Sequence, residues 1–236
     1  MQCVILAGGL GTRMRPLTDT CPKTLLPVSG RPFAYYQLHW LASQGVDDVV
    51  YCIGHQGRMI RDYWLSEPPP VHSIRYVDEG EKLRGTGGAL GLASCEGALD
   101  ESFLVIYGDS FLPVEFHPIW RAFQASGMPA LMTVLCNQGR WDHSNVVYED
   151  GRLILYDKQA DPRMQHIDYG LSAFCRDLFD HMPEVFDLAK LLHDLSLQGR
   201  LAGFEVKQRF YEIGSPAGLH DLEQYLETSP GLQKAV

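Results

Sequence analysis

Gln2–Pro16 reads QCVILAGGLGTRMRP. The apolar opening has the length of a buried strand, and it runs directly into a turn holding Gly8, Gly9, Gly11, Thr12, Arg13 and Arg15. Glycine removes the Cβ that would stand between main-chain N–H groups and a bulky anion. A glycine turn with guanidinium groups inside it, placed at the end of a strand, is read as a cradle for phosphate.

Outward from that turn, strand-length apolar runs alternate with helical patterns: CVIL, then DVVYCI (48–53), SIRYV (73–77) and SFLVIYGD (102–109). Such alternation predicts βαβ units and a largely parallel sheet. Between the first two runs, RPFAYYQLHWLASQG places Phe33, Tyr36, Trp40 and Leu41 on one helical face and stops at Gly45. EPPP (67–70) ends the next helix as a loop, because the same alternation resumes at once. After Asp109 the pattern is less regular, with strands at ALMTVLC, NVVYE and RLILYD. The last two are joined by a tight EDGR turn, which predicts a hairpin near the sheet's edge. Leu188, Leu191, Leu192 and Leu195 form a helical stripe ending at Gly199, and Leu219, Leu222 and Leu226 share the face of a closing helix. The expected fold is α/β: a Rossmann-like mixed, mainly parallel sheet with helices on both faces and a small inserted β-hairpin region.

A net charge of -9 and the lack of any basic block argue against broad nucleic-acid or anionic-membrane binding. Small molecules, or another chain such as a second copy in a homo-oligomer, are the expected partners. The six cysteines, Cys3, Cys21, Cys52, Cys95, Cys136 and Cys175, lie far apart, with no C-x-x-C pair and no His at zinc-site spacing. They read as free thiols of a reducing compartment. The apolar run Cys3–Ala7 is too short for a signal peptide or a membrane span, so a cytoplasmic protein is expected.

A Walker A loop is excluded, since Gly-Lys-Ser and Gly-Lys-Thr do not occur. The dinucleotide fingerprint finds Gly9 and Gly11 but meets Met14 at its third glycine, which leaves a dehydrogenase as a runner-up. What remains is a glycine turn with Arg13 and Arg15, followed by CPKTLLPVSGRP, which brings Lys23. Arginine offers a planar fork to phosphate oxygens and lysine a mobile point charge, a combination suited to a triphosphate.

LAGGLGTRMRPLTDTCPKTLLPVSGRP resembles the signature G-G-x-G-T-R-x-x-P-L-T, followed by P-K, of the sugar-1-phosphate nucleotidylyltransferases. The likeness continues through LRGTGGAL, VIYGDS, YDKQ, IDYGLSAF and FYEIGSP, to about Ser215. It implies a single nucleotidyltransferase domain over residues 1–236; no run of hexapeptide repeats suggests a C-terminal β-helix. It implies a reaction in which a sugar 1-phosphate attacks the α-phosphorus of a nucleoside triphosphate and pyrophosphate leaves, with Mg²⁺ as cofactor. By the same resemblance Arg13, Lys23 and Asp109 are catalytic. The nucleotide would lie on Leu6, Ala7, Gly8, Gly9, Gly11, Thr12, Arg13 and Lys23, and on Gly85, Thr86, Gly87 and Gly88, whose main-chain groups would reach the base edge. The metal would be held by Asp109 and by Glu212, which stands where the family usually has Asp; Ser215 stands where Thr is frequent. Asn145, Lys158, Asp168, Tyr169 and Gly170 would meet the sugar phosphate.

GTGGA resembles guanylyltransferases acting on mannose- or heptose-type phosphates, so GTP is the expected donor, with uridylyl transfer as the alternative. A non-catalytic nucleotide-sugar-binding regulatory subunit is the reading from another class; retention of Arg13, Lys23 and Asp109 together opposes it. Without the resemblance Lys158 could pair with Asp157, Thr86 could cap a helix and Asn145 could cap a strand. A G-x-S-x-G elbow and a D-x-D metal motif are both missing from the sequence.

Overall fold

The computed structural model describes residues 1–159 and 161–229. In chain order the first elements are β1 (Gln2–Ala7), β2 (Pro27–Val28), β3 (Arg31–Pro32), α1 (Phe33–Ser43), β4 (Asp48–Ile53), α2 (Gly57–Ser66) and β5 (Ser73–Asp78). Next come α3 (Gly85–Cys95), β6 (Ser102–Tyr107), β7 (Ser110–Phe111), α4 (Phe116–Ser126) and β8 (Ala130–Leu135). The chain finishes with β9 (Val146–Glu149), β10 (Arg152–Tyr156), β11 (Ile167–Cys175), α5 (Leu188–Leu197), β12 (Leu201–Val206), β13 (Tyr211–Glu212) and α6 (Pro216–Thr228). The fold is α/β and Rossmann-like, with a largely parallel sheet flanked by helices. Among the described residues no helix is long and apolar enough to cross a membrane.

The chain divides into two compact units. The first contains Met1–Leu83, Ile106–Pro113 and the described residues from Phe210 onward. Its strand order is β6-β1-β4-β5, with the last two residues of β6 belonging to it. β1 runs parallel to β4, and β4 to β5. Every residue of DVVYCI except Asp48 is buried, because a parallel strand covered on both faces needs apolar residues at successive positions rather than at alternate ones.

On α1 the buried face is Phe33, Ala34, Gln37, Leu38 and Leu41, which corrects the expected set. Tyr36 and Trp40 stand at its border, half-buried against a cluster of Met14, Leu26, Val28, Phe33, Phe111, Ile213, Leu222 and Leu226. Gln37 is tolerated inside because both N–H groups of its Nε2 are used, donating to Tyr107 O at 2.9 Å and Ser110 O at 2.8 Å, so the donor side of this buried amide does not lose its water without replacement. Those two carbonyls flank the Gly108-Asp109 corner, which α1 thereby braces.

The second unit contains Arg84–Val105 and Val114–Arg209, with strand order β12-β8-β11-β6. β11 is antiparallel to β8 and β12 parallel to it. The predicted hairpin is β9-β10, a two-stranded sheet of its own. Its turn carries Asp150 at φ 48° and Gly151 at φ 75°, the left-handed pair that a two-residue hairpin turn needs. Tyr148 and Leu153 fill the space where Gly203 of edge strand β12 lacks a Cβ, which seats the hairpin there.

Candidate active site

In the first unit β1 ends at Ala7 and the glycine turn follows. Gly11 sits at φ 62°, in the left-handed region, and its carbonyl accepts from Met14 N and from Thr18 Oγ1, both at 2.9 Å. Met14, the residue that broke the dinucleotide fingerprint, is 2% exposed and anchors the turn in the apolar cluster. With that anchor below, Thr12, Arg13 and Arg15 stay exposed. Arg15 leans on Asp19 across an exposed pair at 3.3 Å, which contributes little to stability. Leu6, Ala7 and Gly8 are half-buried and Gly9 is exposed. A methyl on Gly8 would run into Glu79 Oε1, so the carboxylate of a residue that sequence reading did not single out packs against the turn.

Asp109 follows β6 at the corner beside β1. Gly108 N donates to Leu6 O at 2.9 Å, and a Cβ on Gly108 would lie 2.9 Å from Ala7 Cβ. Only glycine permits so close an approach of the corner to the end of β1. Lys23 Nζ meets Asp109 Oδ2 at 2.7 Å, and the neighbouring Thr24 Oγ1 donates to Gly108 O at 2.9 Å. Ile213 N donates to Asp109 O at 3.0 Å, and Glu212 pairs with Ser110 in the β13-β7 ladder. A Cβ on Gly214 would stand 3.3 Å from Arg13 Nη2 and 3.7 Å from Asp109 Oδ2. Four residues separated by up to two hundred positions, Arg13, Lys23, Asp109 and Gly214, thus meet at one corner, with Glu212 exposed on the strand leading to it.

In the second unit α3 begins at Gly85, so GTGGAL is helical from its first residue. Gly87 and Gly88 both donate their N–H groups to Phe186 O, at 3.1 and 3.2 Å. The Gly87 and Gly88 N–H groups expected at a base edge are therefore held by the chain itself. Gly85, at φ 73°, faces Phe186 O, Gly87 faces the Phe186 ring and Gly88 faces Glu184 O. Thr86 does not cap its own helix. Its hydroxyl donates to Asp187 Oδ1 and accepts from Leu188 N, both at 2.9 Å, so it serves the first turn of α5. Asp187 is the N-cap of α5. It also receives Lys158 Nζ at 2.7 Å, so Lys158 pairs there and not with Asp157. Against the upward pull of burial, Lys158, the Ala189 N–H and the Thr86 hydroxyl hold the Asp187 carboxyl below its ordinary range.

Asn145 Oδ1 accepts from Asp168 N at 2.8 Å, and Asp168 Oδ1 accepts from Gly170 N at 2.9 Å. Asn145 and Lys158 line an open cleft of about 860 Å³ with Gln138, Ser144, Met164 and Gln165. Tyr169, next along β11, is 1% exposed, as the alternation of strand side chains requires once Asp168 faces the other way. Burial pushes Asp168 up to about 6, opposed by the Gly170 N–H and by Lys158.

That shift has a sign that can be measured. A carboxyl raised in the folded state binds its proton more tightly there than in the unfolded chain, so stability falls as pH rises from about 4 to about 6. Asp168→Asn keeps the acceptor for Gly170 N and removes the titration. Chemical denaturation across that window should show the parent losing on the order of 1–3 kcal/mol that the variant keeps. Parallel stability curves would assign Asp168 an ordinary carboxyl.

Residues 2–144 match the family model described as nucleotidyl transferase. D-glycero-alpha-D-manno-heptose 1-phosphate guanylyltransferase of Aneurinibacillus thermoaerophilus is 26% identical over 230 residues, 96% of this chain and 99% of that protein. Glucose-1-phosphate cytidylyltransferase of Salmonella typhi is 26% identical over 227 residues, 87% of this chain and 88% of the relative. The crystal structure of HddC from Yersinia pseudotuberculosis shares the fold, with a TM-score of 0.81 at 23% identity over 95% of this chain and 99% of that one. A family match spanning most of the first unit's sheet, on a chain with this fold, places the protein in the nucleotidyl transferase family, among the sugar-1-phosphate nucleotidylyltransferases.

Proposed function

We propose that the chain transfers guanylate from GTP to a mannose- or heptose-type sugar 1-phosphate, giving a nucleotide sugar and pyrophosphate, with Mg²⁺ as cofactor. The observation that carries this reading is the corner where Arg13 and the Lys23–Asp109 pair meet beside the glycine turn. A sugar phosphate has its second pKa near about 6, so the nucleophile is already an anion at neutral pH and needs no general base. Catalysis then rests on holding two highly charged reactants in line and neutralising the charge between them. Arg13 and Lys23 are the cations for the triphosphate. The main-chain groups of Leu6–Thr12 hold it from the turn, and the resemblance assigns Gly85 and Thr86 to the base. Lys158 takes the sugar phosphate, and the resemblance assigns Asn145, Asp168 and Gly170 to the sugar.

The donors at the corner fit Mg²⁺, a hard cation that prefers carboxylate and phosphate oxygens and keeps several waters. Asp109 has a second carboxylate oxygen beside the Oδ2 that Lys23 holds, and Gly214 lacks the Cβ that would stand 3.7 Å from that Oδ2. Glu212 would supply the other carboxylate, reaching farther than Asp by about 1.5 Å. When bound, Mg²⁺ supplies charge neutralisation at the phosphate oxygens.

GTP is favoured by the GTGGA stretch and by the heptose 1-phosphate guanylyltransferase relative; the cytidylyltransferase relative marks the competing choice of base. Pyrophosphate release measured across the four nucleoside triphosphates and a panel of sugar 1-phosphates decides among them. The expected result is turnover with GTP and a mannose- or heptose-type phosphate that stops when EDTA removes Mg²⁺. Preference for UTP or CTP would overturn the assignment of the base, and no turnover with any pair would support the regulatory subunit.

Lys158 is exposed enough to leave Asp187 for a phosphate. A charge-assisted hydrogen bond to phosphate contributes about 1.5–3 kcal/mol, so Lys158→Met should raise the KM for sugar 1-phosphate by about tenfold to a hundredfold. The KM for the triphosphate should stay unchanged. Equal rises in both constants would remove Lys158 from the sugar-phosphate side.

A further inference from the structure

The six cysteines show no metal spacing along the chain, yet the sheet of the second unit brings one of them into a ligand set. Cys136 directly follows β8, His166 directly precedes β11, and Glu205 lies on β12. The antiparallel register Ile167↔Leu135 puts His166 opposite Cys136 one step outward, and the parallel register pairs Glu205 with Val134, two residues before Cys136. Residues two apart on a strand share a face, so a thiol, an imidazole and a carboxylate converge at one end of three adjacent strands. Their ligand atoms all lie within 4.8 Å of one another, and His166 Nε2 stands 3.2 Å from Glu205 Oε1. Donors about 2.0–2.3 Å from a tetrahedral zinc ion are roughly 3.4 Å apart. The His166–Glu205 edge already has that length, and the Cys136 sulfur needs to approach by no more than about 1.5 Å.

The surroundings are arranged for a ligand from one side. The Tyr148 ring flanks the imidazole at 5.3 Å and covers Gly203, two positions before Glu205 on the same face. The His166 side chain is 12% exposed, whereas Glu205 is 42% exposed and open to solvent. The nucleotidyl-transfer chemistry uses none of the three.

We propose that Cys136, His166 and Glu205 form a site for Zn²⁺, with three protein donors and a fourth coordination position open to solvent. A thiolate and an imidazole select a borderline-soft ion and reject Mg²⁺, so this site is separate from the carboxylate corner at Asp109. Binding releases the Cys136 thiol proton to solvent. Occupation ties together the ends of β8, β11 and β12, two residues from Asp168.

The test is metal binding, not turnover, so it stands whatever the reaction proves to be. The full chain is loaded with Zn²⁺, desalted and assayed for metal. Co²⁺ loading then reports the ligands by absorption. One equivalent of Zn²⁺ is expected, together with a thiolate-to-cobalt charge-transfer band, and both should survive in Cys95→Ser, which removes the exposed thiol. Cys136→Ser should abolish the band and weaken Zn²⁺ by about a hundredfold or more, beyond what loss of an outer-shell partner costs. Circular dichroism of the metal-free variant checks its fold. If Cys136→Ser does not fold, the exposed Glu205→Gln carries the test, with the band retained and Zn²⁺ weakened at least about tenfold. Zinc content unchanged by Cys136→Ser or Glu205→Gln, or a cobalt spectrum without the thiolate band, would overturn the assignment.

Discussion

Asp109→Ala is expected to lower turnover at saturating substrate by on the order of a hundredfold or more while leaving the fold intact. The two effects separate because their sources differ in size. A hundredfold loss corresponds to about 2.8 kcal/mol of barrier, the scale of electrostatic stabilisation in a site closed around charged reactants. The Lys23–Asp109 pair is only partly buried, with side-chain exposures of 18% and 22%, so its contribution to folding is nearer to about 1 kcal/mol. Gly108 holds the corner through its main-chain N–H and Gln37 through its side-chain amide on the Tyr107 and Ser110 carbonyls, contacts that survive the substitution. Steady-state kinetics beside a thermal melt therefore give a clear reading. A variant that melts like the parent and turns over like it would place the chemistry elsewhere.

Arg13→Ala is expected to cost a similar factor, by a different route. Arg13 is exposed and makes no part of the core, so stability should not move. Its guanidinium lies beside Gly214, whose missing Cβ would also face the Asp109 carboxylate, and is held up by the buried Met14 that follows it in the chain. A planar fork that binds two oxygens of one phosphate cannot be matched by a point charge. Arg13→Lys should accordingly recover only part of the loss, and the deficit should lie in kcat more than in the KM for sugar 1-phosphate. Full recovery by lysine would show that Arg13 supplies charge alone. Unchanged kinetics in Arg13→Ala would remove it from the site.

Local features of the chain were readable and long-range ones were not. DVVYCI coincides with β4 residue for residue, because a strand buried on both faces is a continuous apolar run and nothing distant is needed to recognise it. The hairpin turn was readable in Asp150-Gly151 for the same reason, since left-handed φ is a property of the residues themselves. Gln37 was not assigned to the core, since only the carbonyls of Tyr107 and Ser110, some seventy residues on, make its burial tolerable. The glycines Gly85, Gly87 and Gly88 also serve packing against Glu184 and Phe186, which was not legible, since spacing carries no sign of a segment a hundred residues later. Lys158 found Asp187 in place of adjacent Asp157 because a flexible side chain pairs with whatever the tertiary fold brings near. The corner at Asp109 was legible through a resemblance of whole motifs, while its brace and its Lys23 contact required the fold.

A crystal structure with a non-hydrolysable GTP analogue and Mg²⁺ tests the central claim most directly. The account predicts the phosphates lying on the main chain of Gly8–Thr12, with Arg13 and Lys23 on their oxygens and the metal on the Asp109 carboxylate. A nucleotide seated elsewhere, with that turn bare, would contradict it.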